Sequence, residues 1–166
     1  MQELETTIHQ QNHTTCFLFE PKAGTREAHI LLQAEKGLTV TEAWIDIMEK
    51  LEKLEEVLQF NAGNRLFFRV FLSDVLNQEK VLREHFPEFF DRSKRAGISI
   101  VQQPPMPLSK LAVWVYEVDG EQKVESTENG NVFHSNGLTH VWTSGLMGSD
   151  TTNVFWQTES MFLKYM

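Results

Sequence analysis

The run Leu66-Phe67-Phe68-Arg69-Val70-Phe71-Leu72 constrains this chain more than any other stretch. It is apolar everywhere except Arg69, so it lacks the alternation of a strand with one wet face. Such a strand is central, and both faces of its sheet need cover. The flanking sequence offers cover for one of them. Thr39-Val40-Thr41-Glu42 has capping-box spacing. Trp44, Ile47, Met48, Leu51, Leu54 and Leu58 then recur at three and four residues, the apolar stripe of a helix. Glu49, Lys50, Glu52, Lys53, Glu55 and Glu56 fall on its other side and read as a solvated face. Asn61-Ala62-Gly63-Asn64 is expected to end the helix, because Gly and Asn tolerate a left-handed exit. A second helix capped by Asn77 carries Val81, Leu82, His85, Phe86, Phe89 and Phe90. Pro87 predicts a kink or break near Phe86.

Strands are expected at Cys16 to Glu20 and Ala28 to Ala34, around the turn Pro21-Lys22-Ala23-Gly24. Further strands are expected at Ile98 to Val101 and Leu111 to Val118, with Pro104-Pro105-Met106-Pro107 forcing an extended connection between them. The order ββαβαββ over residues 14–118 gives an α+β fold with both helices on one face of the sheet. The opposite face then calls for another subunit, since the chain has two good helices to spend. Residues 1–13 are polar and read as a flexible leader or edge segment. Residues 14–120 form the main domain. Residues 121–166 form a partial second unit. In it, Gln122 to Thr127 is strand-like, and Val132 to His134 pairs with Thr139 to Thr143 around Asn136-Gly137, a primed-turn signal. Val154 to Met166 is a helical pattern that stops without a cap, which suggests a chain cut short.

Fifteen Lys and Arg against twenty-three Asp and Glu give a net charge of −8. The cations are scattered among acids, so nucleic acid is not the expected partner. The N-terminus lacks the basic and apolar regions of a signal peptide. No apolar run approaches the ~20 residues of a membrane span. A cytoplasmic protein is expected. Cys16, the single cysteine, cannot form an internal disulfide and reads as a small buried hydrophobe rather than a nucleophile. His134 and His140 lie six residues apart with no third ligand nearby, so no metal is expected. Phosphate-binding loops, dinucleotide loops, C-x-x-C pairs and nucleophile elbows are absent, and no cofactor is expected.

Three stretches resemble the Rid family (YjgF-like, also described as endoribonuclease L-PSP type). Arg69-Val70-Phe71-Leu72-Ser73-Asp74 is similar to its "V-F-L-x-D" strand end. Phe86-Pro87-Glu88-Phe89-Phe90 is similar to its helix ending in two aromatics. Arg95-Ala96-Gly97-Ile98-Ser99-Ile100 with Pro104 is similar to its "R-x-x-V-x-V" followed by proline. The likeness spans about Cys16 to Val118. It implies a chorismate-mutase-like sheet and trimers with ligand clefts between subunits. Asn136 to Leu146 resembles the family's opening hairpin, and Gln157-Thr158-Glu159 the start of its first helix, so the tail looks like the beginning of a second repeat.

By this resemblance Arg95, with Arg92 as a rival in register, would grip the carboxylate of an enamine or imine. A guanidinium is a planar fork of donors at any pH, which suits that task. Ser144 and Gly145 match the family's ligand-touching loop. The family's water-positioning glutamate falls at Trp114, and a second acid falls at Tyr116. Glu117 is one residue out and should face the other side of the strand. The family's asparagine is replaced by Leu82 or Arg83. The candidate substrate-binding set is therefore Arg95, Ser144, Gly145, Trp114 and Glu117, with no assigned catalytic residue. Three functions follow from the resemblance. One is an enamine or imine deaminase using a small carboxylate-bearing ligand. The second is a non-catalytic binding or assembly module. The third is a fragment of a two-repeat enzyme of the chorismate-hydrolysing type.

Overall fold

The computed structural model describes residues 4–21, 24–61, 64–90, 97–104, 109–119, 124–127, 130–135, 137–143 and 153–165. Two antiparallel strands open the chain, β1 (Leu4–Gln11) and β2 (Thr14–Pro21). The polar segment expected as a leader or edge thus forms an edge strand. It pairs with β2 from Leu4↔Pro21 to Gln11↔Thr14. Asn12 and His13, between the two strands, both have positive φ (46° and 61°), the primed-turn geometry that suits a two-residue hairpin. An edge strand is held by backbone hydrogen bonds and needs no apolar alternation, which is why polarity hid it.

Next come β3 (Arg26–Gln33), α1 (Val40–Leu58), β4 (Arg65–Leu72), α2 (Val75–His85), the short α3 (Pro87–Phe90), β5 (Gly97–Gln102) and β6 (Leu111–Asp119). The six strands lie in the order β1-β2-β3-β6-β4-β5. β4 and β5 are parallel, and the other pairs are antiparallel. A second sheet holds β7 (Glu125–Thr127), β8 (Gly130–Ser135) and β9 (Leu138–Thr143), followed by α4 (Val154–Tyr165). This is a mixed α+β fold with a large sheet and four helices.

The main core lies between α1 to α3 and one sheet face, hereafter the helix face. It joins Trp44, Ile47 and Leu51 of α1 to Cys16, Leu18, Ile30, Leu32, Phe68, Val70, Val113 and Val115 of the strands. Trp44 seats edge-on to Phe89 at 4.6 Å, and Phe68 meets Phe89 at 4.9 Å. Pro87 does break the second helix: α2 ends at His85, Phe86 is its cap, and α3 turns Phe89 and Phe90 onto the core. The cap at the other end is Asp74, not Asn77, because the Asp74 carboxylate accepts from the Asn77 N–H at 3.3 Å.

Thr39 and Glu42 form the reciprocal cap of α1, with Thr39 N donating to Glu42 Oε2 at 2.8 Å. The exit comes earlier than the Asn-Gly signal suggests. Gln59, exposed and at φ 57°, takes the left-handed position; Ala62 and Gly63 lie outside the described residues. A side chain with a Cβ is strained in that conformation. Gln59→Gly should therefore stabilise the fold by up to about 1 kcal/mol. Urea denaturation would show this as a higher midpoint at unchanged slope.

Candidate functional site

Strand period and register divide the chemistry of the large sheet between its faces. On the face away from α1, paired neighbours run Ile8↔Phe17↔His29↔Tyr116↔Phe67 across five strands. A second row runs Leu31↔Trp114↔Arg69↔Ser99. We term this the open face. His29 lies parallel to Trp114 at 5.7 Å and against Tyr116 at 4.7 Å, and Phe19 meets it edge-on. The Arg69 guanidinium sits over Phe67 at 5.6 Å and over Trp114 at 5.5 Å. Arg69 is exposed and has no acidic partner among the described residues. Glu27 accepts from the Tyr116 hydroxyl at 2.7 Å. Burial lowers the His29 pKa against a smaller opposing pull from Glu27. Burial, then Glu27, raises that of Tyr116.

The small sheet roofs one end of this face. Phe133 and Trp142 pack with Leu66, Phe67, Tyr116 and Val118. Buried Asn131 donates to the Leu66 carbonyl at 2.8 Å. The rest stays uncovered: Ile8 is 57% exposed, Leu31 46% and Phe17 40%. Helix α4 does not close it, since Val154, Phe155, Trp156, Phe162 and Leu163 are themselves more than half exposed.

On the helix face lies a buried charge cluster. Arg65 grips Glu55 through two bonds of 2.6 Å, and its Nε is 3.5 Å from Glu117 Oε1. Glu117 is fully buried, and neither of its oxygens has a hydrogen-bond partner among the described residues. A bulge in β4 creates this arrangement: Arg65 pairs with Glu117 and Phe67 with Tyr116, leaving Leu66 as the extra residue. Burial, then the adjoining Glu55 carboxylate, pushes Glu117 up to about 9, with Arg65 opposing. Burial disfavours the charged Arg65, yet the bonds it donates to Glu55 and the charges of Glu55, Glu117 and Glu52 outweigh it and hold its pKa up. Burial, then the Glu117 charge, pushes the Cys16 thiol up to about 11, so it is poorly nucleophilic.

Of the residues expected at a site, Trp114 lies on the open face, half-buried, and Glu117 lies on the opposite face of the same strand. The two do not share a site. Glu117 belongs instead to the Arg65 cluster, because period-two alternation in β6 is unbroken and the bulge sits in its neighbour. Arg95, Arg92, Ser144 and Gly145 lie outside the described residues. His134 bonds Thr139 at 3.0 Å, while His140 pairs with Phe133. They occupy opposite faces of the hairpin, and no group of three metal-ligating residues occurs among the described residues. Sequence reasoning missed Glu27, His29 and Arg69 as companions of Trp114. The alternation Glu27-x-His29-x-Leu31 was the available signal, but which strand would pair with it was not.

No protein-family model matches the chain, and no curated protein matches it in sequence. Among solved structures it is similar to a Salmonella typhimurium protein described provisionally as a translation initiation inhibitor. The identity is 12% and the TM-score 0.54, over 70% of this chain and all of that one. At that identity the likeness is one of fold, and it supports a distant Rid-like fold. No helix among the described residues is long and apolar enough to cross a membrane.

Proposed function

We propose that the chain is a Rid-like binding and assembly module that associates with like copies through its open face and lacks hydrolytic chemistry. The observation that carries this reading is the open face itself. It holds a contiguous aromatic and aliphatic surface with Ile8, Phe17 and Leu31 exposed, and Trp114 stands where the family resemblance would place an acid. Apolar patches of this kind mark interaction sites. Aromatic side chains and arginine are the residues enriched in such interfaces. A small carboxylate-bearing ligand would then sit at the seams, with Arg95, Ser144 and Gly145 as the residues to substitute first.

Deaminase chemistry fits less well. The acid that shares the open face with Trp114 among the described residues is Glu27, and it is engaged by Tyr116. Sedimentation equilibrium should give a multiple of 19.2 kDa, three-fold for a Rid-type ring. A single-chain mass at tens of micromolar would overturn the assembly reading. The protein incubated with a dehydratase and serine or threonine should release keto acid no faster than buffer does. Acceleration would overturn the non-catalytic reading.

A further inference from the structure

Helix α4 and the open face are two uncovered apolar surfaces of one chain, and among the described residues each carries a charge without a partner. On the helix, Phe155, Glu159 and Phe162 fall at i, i+4 and i+7 and share a side. Glu159 is exposed and has no basic partner among the described residues, and Phe155 and Phe162 beside it are 66% and 60% exposed. On the sheet, exposed Arg69 is flanked by the rings of Phe67 and Trp114. An anion set between two aromatics on the helix thus complements a cation set between two aromatics on the sheet. An ion pair ringed by apolar contacts is sheltered from water and fixes register.

The spacings agree as well. With Glu159 over Arg69 and the helix lying across the strands, Phe155 lies about 6 Å to one side along its axis and Phe162 about 4.5 Å to the other. Neighbouring strands are about 4.8 Å apart. One phenylalanine therefore falls over β6, at Trp114, and the other over β5, at Ser99 and Val101, which lie on the same face.

We infer that α4 of one copy docks on the open face of a second copy, with Glu159 against Arg69. This rests on the assembly reading and specifies its contact as an exchange of helices rather than sheet against sheet. Each copy gives one helix and receives one, so the exchange can close a ring.

Charge reversal tests it. Arg69→Glu and Glu159→Arg alter exposed side chains, so far-UV circular dichroism should be unchanged. Each alone should weaken self-association by roughly tenfold or more. An equimolar mixture of the two variants should recover association in part, because unlike variants meet opposite charges while one contact of a three-fold ring still joins like variants, and the double variant should associate like the parent. If the parent associates but both single variants do so equally well, the helix contact is wrong while assembly through the open face stands. If the parent sediments as one chain, the assembly reading falls with it. If the double variant associates like the parent while the mixture gains nothing over the single variants, the helix closes on its own chain and exchange between copies is overturned.

Discussion

Replacing Arg65 with Met is expected to cost about 3–5 kcal/mol of folding stability, because it strands the buried Glu55 carboxylate without its cation. Glu55 would lose both of its 2.6 Å bonds, and Glu117 its nearest positive charge. Neither acid can turn to solvent, since one is 5% exposed and the other fully buried. Removing the charges together should behave differently. A buried ionic cluster replaced by apolar residues of similar volume is often neutral or stabilising. The triple variant Glu55→Leu, Arg65→Met, Glu117→Leu should therefore recover most of what Arg65→Met alone loses. Urea denaturation of the three proteins checks this, and a triple variant as unstable as the single one would refute it.

The second large effect is on pH dependence. Glu117 is held at about 9 in the folded chain, against 4.5 for an unperturbed glutamate. Between those values the folded state retains a proton that the unfolded state releases. The stability linked to that proton is fully present below the lower value and is lost as pH rises toward the upper one. The loss is about 1.4 kcal/mol per pH unit where the two protonation states differ fully. Glu117→Gln keeps the shape and removes the titration. Its advantage over the parent should widen steadily between pH 6 and pH 9. Parallel stability profiles for the two proteins would show that Glu117 is ionised in the fold.

The sequence carries α1 and β4 plainly, because an apolar stripe and a continuous apolar run are local signals. The opposite facing of Trp114 and Glu117 is legible for the same reason, since a strand alternates with period two. The partner of Glu117 is not legible: it depends on one unpaired residue at Leu66, and nothing in the composition of β4 marks a bulge there. The open face is hidden for a related reason. Its rows join residues from β1, β2, β3, β6 and β4, whose order in the sheet is not their order in the chain. Strand β1 is masked by its polar side chains, and the left-handed exit of α1 falls on a glutamine that no turn preference singles out.

The extra residue in β4 acts as a phase shifter. Without the bulge, with Leu66 paired in strict alternation, Arg65 would turn to the same side as Phe67, into the aromatic surface and away from both glutamates. With it, one strand sends a guanidinium to the interior at Arg65 and another to the exterior at Arg69, four positions apart. The Leu66 carbonyl meets Asn131, so the small sheet is fastened where the phase changes. A one-residue deletion at Leu66 would thus remove the bulge yet leave Arg65 next to Phe67 and opposite Glu117, so it would cost the fastening of the small sheet and keep the buried charge in place.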